Sequence, residues 1–282
     1  MKTALTRLAF LACLAGSSAV WAQAPAAVAP ATPGVSGAER SISDWLMRMH
    51  EASRRRTYVG TFVVSSAAGN LSSARIWHAC DGVQQMERVE SLTGAPRSTF
   101  RRNDHVVTFL PDSKVVHTEK RESLGLFPSL LKSSETTIPE FYTVQVAGSE
   151  RVAGFDADIV QLNPRDNLRF GYRIWSEKKS GLVVKLQTLD GDGQVIEQAA
   201  FSELQLDAPV KMDKLAQMMA NTDGYKVHKA DPIKTTAQAQ GWVLKTPVAG
   251  FKPMGCYKRP PASGGRDDTV QWIFSDGLAS VS

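Results

Sequence analysis

The hydrophobic pattern changes period once near the start of the folded region and seldom returns to it. In "SISDWLMRMHEASRRR" the apolar residues Ile42, Trp45, Leu46, Met49 and Ala52 fall at helical spacing. Ser41 or Ser43 can cap this helix, and Asp44 suits its first turn. The pattern then switches to alternation. "YVGTFVV" places Tyr58, Gly60, Phe62 and Val64 on one face of a strand and Val59, Thr61 and Val63 on the other. "SSARIWHAC", "VQQMERVES", "RSTFRRN", "HVVTFLP" and "SKVVHTEK" follow in quick succession, separated by Gly, Asp, Asn or Pro. No crossover helix fits between them, so an antiparallel meander is predicted. Alternation in "KVVHTEK" implies one wet or cavity-facing side.

The meander breaks at residues 122–142, where Leu124, Leu126, Phe127, Leu130 and Leu131 surround Pro128 without a clean period. Such a segment either lines a cavity as a lid or plugs the mouth of a barrel as a short core helix. Strands resume from Tyr142, with a hairpin signalled at "DGDG" by Gly191 and Gly193. Residues 212–220 suggest a short helix or linker, and a second block follows. Its "VQWIFSDGLASVS" reads as a strand, a tight turn at Asp276-Gly277 and the opening of another strand, which leaves an apolar edge and predicts a domain cut short. The expected organisation is a signal peptide over 1–22, an Ala/Pro-rich leader over 23–40, a sheet domain over 41–207, a linker over 208–230 and an incomplete second domain over 231–282.

Composition narrows the class. Lys2 and Arg7 precede the apolar run "LAFLACLAGSSAV", with Val20 and Ala22 placed for cleavage after Ala22. Export to the periplasm is expected, with no transmembrane segment. The first 22 residues carry no Asp or Glu, so losing Lys2 and Arg7 takes the formal net charge from +5 to +3. That mild excess does not point to nucleic acid and suits anionic lipid surfaces or an acidic partner only weakly. The clusters at 54–56 and 101–102 read as solvated faces.

Cys80 and Cys256 remain after cleavage, and one disulfide or two separate buried thiols are both open. A metal held by His78 and Cys80 lacks a second ligand pair, so no metal or cofactor is expected. His50, His78, His105, His117 and His228 are scattered. Asp156 and Asp158 suit a turn better than acid/base work. No catalytic motif is found, and no enzyme is expected. An open barrel around an apolar space suits acyl chains, since each buried methylene contributes about 0.8 kcal/mol.

The ordered set "SDWLMRMHEAS", "YVGTFVV", "IWH", "SERVAGFDADIVQLNPRD", "SGLVVKLQTLDGDGQVIEQAAFSEL" and "FSDGLASVS" resembles the RseB/MucB regulators of the envelope-stress sigma factor, sigma-E or AlgU. The resemblance covers almost all of residues 41–282. It implies an α+β fold: an N-terminal LolA/LolB-like unclosed antiparallel β-barrel with helices in its mouth, and a smaller C-terminal α/β domain. It also implies a partner, the periplasmic domain of a membrane-spanning anti-sigma factor of the RseA/MucA type. That partner would be shielded from regulated proteolysis until lipid or lipopolysaccharide releases the protector. In the family the small domain contributes much of the partner contact. Leu126, Phe127, Leu130 and Leu131 correspond to the mouth-lining region, and Trp77, Phe109 and Trp175 are candidate cavity residues from the strands. Cys80 and Cys256 stand outside the family pattern. A lipid or lipoprotein carrier of the LolA kind is the alternative, against which the second domain argues.

Overall fold

The computed structural model describes residues 40–120, 137–229, 232–259 and 269–282, which belong to one compact unit, Arg40–Ser282. The leader, the signal-peptide stretch and the apolar patch bearing Leu126, Phe127, Leu130 and Leu131 lie outside the described residues.

Helix α1 (Ile42–Arg55) starts at a reciprocal cap. The Ser41 hydroxyl accepts from the Asp44 amide at 3.2 Å, and the Asp44 carboxylate accepts from the Ser41 amide at 3.1 Å. Such a cap stabilises a helix by about 1 kcal/mol. Arg54 and Arg55 in the last turn oppose the helix dipole. The five apolar residues at helical spacing are all buried.

Six strands then run back and forth: β1 (Tyr58–Ser66), β2 (Leu71–Cys80), β3 (Gln85–Ser91), β4 (Ser98–Arg102), β5 (His105–Leu110) and β6 (Val115–Lys120). A one-turn helix α2 (Ile138–Phe141) leads into β7 (Tyr142–Val152), β8 (Phe155–Pro164), β9 (Gly171–Glu177), β10 (Val183–Leu189) and β11 (Val195–Leu206). Strand β11 returns to pair with β1, which joins the two runs. After α3 (Met212–Ala220), β12 (Lys226–Lys229) pairs with β6 in parallel. The result is a 12-stranded sheet in the order β12-β6-β5-β4-β3-β2-β1-β11-β10-β9-β8-β7, with no ladder joining its two edges among the described residues. An unclosed antiparallel sheet was expected; the parallel β12 was not. The stretch 208–230, read from sequence as a linker, carries α3 and β12, and both attach to the large sheet. Asp156 and Asp158 lie in β8 and not at a turn.

The remaining strands, β13 (Ile233–Thr235), β14 (Lys252–Arg259), β15 (Thr269–Ser275) and β16 (Ser280–Val281), form a separate antiparallel sheet in that order. The turn at Asp276-Gly277 is present, with Gly277 at φ 100°.

Register shows how the large sheet buries both sides. Val160, Ile174, Leu186, Ala199 and Val64 are successive cross-strand partners, so they share a face with Tyr58 and Phe62. Helix α1 covers that face, packing Trp45, Leu46 and Met49 against Val160, Leu162 and Ile174. Met86, Phe100, Val107, Phe109 and Val116 point the other way, and Leu215 and Met219 of α3 cover them. One helix serves each face, at opposite ends of the strand order.

Gly60 marks the tightest packing under α1. A Cβ there would meet the Phe201 ring at 2.6 Å and the Glu203 carbonyl oxygen at 2.8 Å. The ring can turn, but the backbone oxygen cannot move without breaking the β1–β11 ladder. Gly60→Ala is expected to destabilise the fold by about 1–3 kcal/mol, read as a lower urea midpoint; an unchanged midpoint would show that β11 yields freely.

Candidate binding site at the junction of the two sheets

The three strand aromatics proposed for a cavity are not gathered in one place. Trp77 sits beside the α3 cluster, with the Arg88 and Arg75 guanidinium carbons 4.8 and 5.5 Å from its ring centroid. Phe109 lies in the same cluster, edge-on to Phe100 at 5.6 Å and Tyr225 at 5.3 Å. Trp175 belongs instead to the cluster that contains Ala52 of α1. Its indole donates to Glu150 at 2.6 Å, and the Lys185 ammonium lies 4.1 Å from the ring centroid. Each aromatic has protein partners that account for its burial.

Cys80 and Cys256 are free thiols on different sheets. The Cys80 thiol bonds to the Thr57 hydroxyl and the Gly82 backbone, while partial burial pushes its pKa up. The single pairing open to the sequence is therefore not made.

Under α1 the register lines up a buried polar row, Tyr58, His78, Glu87 and Arg101, on four neighbouring strands. Tyr58 stacks on His78 with ring centroids 4.8 Å apart. His78 Nδ1 donates to the Arg56 carbonyl at 2.7 Å, satisfying an orphan acceptor at the helix end. Its Nε2 faces Glu87 at 3.6 Å without a hydrogen bond. Glu87 is taken by Arg101 through two bonds of 2.8 and 3.0 Å. Arg101, its side chain 14% exposed, is thus a largely covered partner and not the solvated residue its sequence context suggested. Burial drives the His78 pKa down, against the opposing pull of Glu87, because Arg101 already balances that carboxylate.

The two sheets meet at a second buried ion pair. Arg169, on the loop between β8 and β9, donates from Nε to Asp276 Oδ2 at 2.9 Å, and both side chains are fully buried. The guanidinium also reaches the Asp166 carboxylate and the Ala249 carbonyl, and lies between the Phe141 and Phe251 rings at 4.2 and 5.0 Å. Asp276 Oδ1 accepts the Leu278 and Ala279 amides at 3.0 and 2.8 Å, and the Tyr142 hydroxyl approaches Oδ2 at 3.4 Å. Burial, with the Asp276 charge adding to it, pushes the Tyr172 phenol up to about 12.

Around this clasp the surface turns apolar. Leu168 and Phe170, on either side of Arg169, are 65% and 49% exposed, and Val248 beside Ala249 is 40% exposed. Trp242, Val243 and Leu244, earlier on that loop, are exposed too. Arg165 and Lys245 bring positive charge to the same loops. Isolated exposed apolar residues are ordinary, but here they form a run on two abutting loops. The charged groups of the clasp are held by each other. Among the described residues no three His, Cys, Asp or Glu side chains gather to hold a metal. No described helix is long and apolar enough to cross a membrane.

Sequence reasoning missed both ion pairs. Asp276 was legible only as a turn residue, and Arg169 carried no local signal. Arg169→Met leaves the Asp276 carboxylate buried and unpaired, so a loss of about 3–5 kcal/mol is expected, with faster proteolysis of the small sheet; equal protease resistance would show that the clasp does not hold it. His78 gives a pH prediction. Its folded pKa lies below the unfolded value near 6.5, so its contribution is complete above that pH and is lost as pH falls below it. Unfolding titrations between pH 7 and 5 should show a shallower loss in His78→Gln, by at most about 1.4 kcal/mol per pH unit. Parallel profiles would mean that folding does not shift the His78 pKa.

Comparison with known proteins agrees with this architecture. A family model described as the MucB/RseB N-terminal domain matches residues 41–219. The sigma factor AlgU regulatory protein MucB of Pseudomonas aeruginosa is 30% identical over 257 residues, covering 89% of this chain and 76% of MucB. The sigma-E factor regulatory protein RseB of Escherichia coli K12 is 23% identical over 237 residues, covering 84% of this chain and 73% of RseB. Among solved structures, the Pseudomonas aeruginosa MucA/MucB complex aligns with a TM-score of 0.64 at 25% identity, over 84% of this chain and 77% of that one. MucB in complex with MucA(peri) aligns at 0.62 and 26% identity, over 84% and 76%. With most of both chains aligned in sequence and in space, and the family model spanning α1 to α3, this chain is a member of the MucB/RseB family.

Proposed function

We propose that the chain is a periplasmic regulator that binds the periplasmic segment of a membrane-spanning anti-sigma factor of the RseA/MucA type. In this reading it shields that segment from regulated proteolysis and so restrains sigma-E-type transcription. Lipid or lipopolysaccharide releases it. The observation that carries the proposal is the match, across 84% of this chain, to MucB solved with MucA. The charged and apolar pattern of the first 22 residues supports export.

The junction supplies a physical route. A partner segment that touches both sheets gains from their being fixed in advance, because less ordering entropy is lost on binding. The exposed apolar residues beside the clasp offer it area, and Arg165 and Lys245 favour an acidic segment. The lipid-responsive element is assigned to the apolar stretch 124–131.

The experiment is calorimetric titration of the exported form with the periplasmic segment of the cognate anti-sigma factor, with and without lipopolysaccharide. Micromolar or tighter binding, weakened by lipopolysaccharide, is expected. Lipid uptake without partner binding would replace this reading with the carrier.

A further inference from the structure

The described histidines are scattered, with one exception. His117 on β6 and His228 on β12 come from segments far apart in sequence, yet the parallel register sets them directly opposite each other. Their ring centroids are 5.6 Å apart and their planes are tilted by 37°. His117 is exposed and His228 half-buried. Among the described residues no hydrogen bond or ion pair occupies either ring.

We propose that His117 and His228 form a site for a divalent transition-metal ion, zinc or nickel in chemical class, which clips β12 to the edge of the large sheet. Neutral imidazole is a favoured ligand for these ions. A nitrogen binds zinc at about 2.0–2.1 Å, so two imidazoles on one tetrahedral ion have centroids roughly 5.2 Å apart. The observed 5.6 Å needs only a small side-chain adjustment. Glu119 follows His117 by two residues and Lys226 precedes His228 by two, so the flanking charges are of both signs. The imidazoles, and not carboxylates, carry the binding. With two protein ligands, water completes the shell, which makes the ion exchangeable and unlike a closed structural zinc.

The location gives the site a purpose. Strand β12 is four residues long, lies at the sheet edge and pairs in parallel, the slightly weaker arrangement. It is also the last attachment of the chain to the large sheet before the small sheet begins. A cross-link there reinforces the weakest ladder on the route between the two sheets.

The test is titration of the tag-free, metal-stripped full chain with zinc or nickel by calorimetry, beside His117→Ala, His228→Ala and His105→Ala. One ion per chain is expected. Affinity should fall on the order of a hundredfold in either of the first two variants, as a two-point attachment becomes one-point. His105→Ala should match the parent protein. Amide exchange at Lys226, whose N–H donates to the Lys114 carbonyl at 2.8 Å, should slow with metal in the parent chain alone. Strand β6 is also held by β5, so His117→Ala keeps the sheet and decides the matter even if His228→Ala loosens β12. No binding at millimolar metal, or binding that survives His117→Ala, would overturn the proposal and leave a ring contact only.

Discussion

A sheet of twelve strands that does not close on itself has to bury apolar surface on two sides and still leave its edges tolerable in water. The two long helices divide the burial. Helix α1 covers one face where β8 to β11 lie, and α3 covers the other where β3 to β6 lie. Strand β1 pairs with both β2 and β11, so it connects the region each helix protects. Its close approach at Gly60 follows from that double role. The outer strand β7 carries a register shift between Val146 and Ser149, with Gly148 at φ 118°. A bulge at that place discourages further strand addition.

The charged groups sort by burial. Arg55 and Glu51 sit 3.9 Å apart with both side chains more than half exposed, a contact worth about 0–1 kcal/mol. Arg169–Asp276 and Arg101–Glu87 are different, because their charges are out of water and each is held by more than one partner. Stability alone does not explain such pairs, since apolar replacements of the same shape often do as well. What they do specify is position. Glu87 and Arg101 fix the register under the end of α1, and Asp276 brings one turn of the small sheet onto one loop of the large one.

Much of this was readable from the chain because it depends on local period. The helical spacing from Ile42 to Ala52, the rapid strand-turn rhythm up to Lys120 and the Gly191/Gly193 hairpin are short-range signals that burial reinforces. What could not be read depends on pairing across sequence. The parallel docking of β12 requires β6, more than a hundred residues away, and nothing in "KVHK" names that partner. Likewise the face covered by α3 depends on register, where a single-residue slip would invert every side chain. Trp77, Phe109 and Trp175 looked alike in the sequence, and register puts all three on one face of the sheet, but their protein partners hold Trp175 in a different cluster from the other two. Arg169 illustrates the same limit, since its exposed neighbours Leu168 and Phe170 would predict a solvated loop.

The placement of the two attachments has a topological consequence. The segment after α3 is tied at one end to β12, on one edge of the large sheet, and at the other through Asp276 to the loop joining β8 and β9, next to the opposite edge. Among the described residues the strand order and this tail therefore form a circuit that the strand ladders leave open and the Arg169–Asp276 clasp completes. Opening the seam and releasing the small sheet become one event, in the way that undoing a buckle loosens every part of a belt.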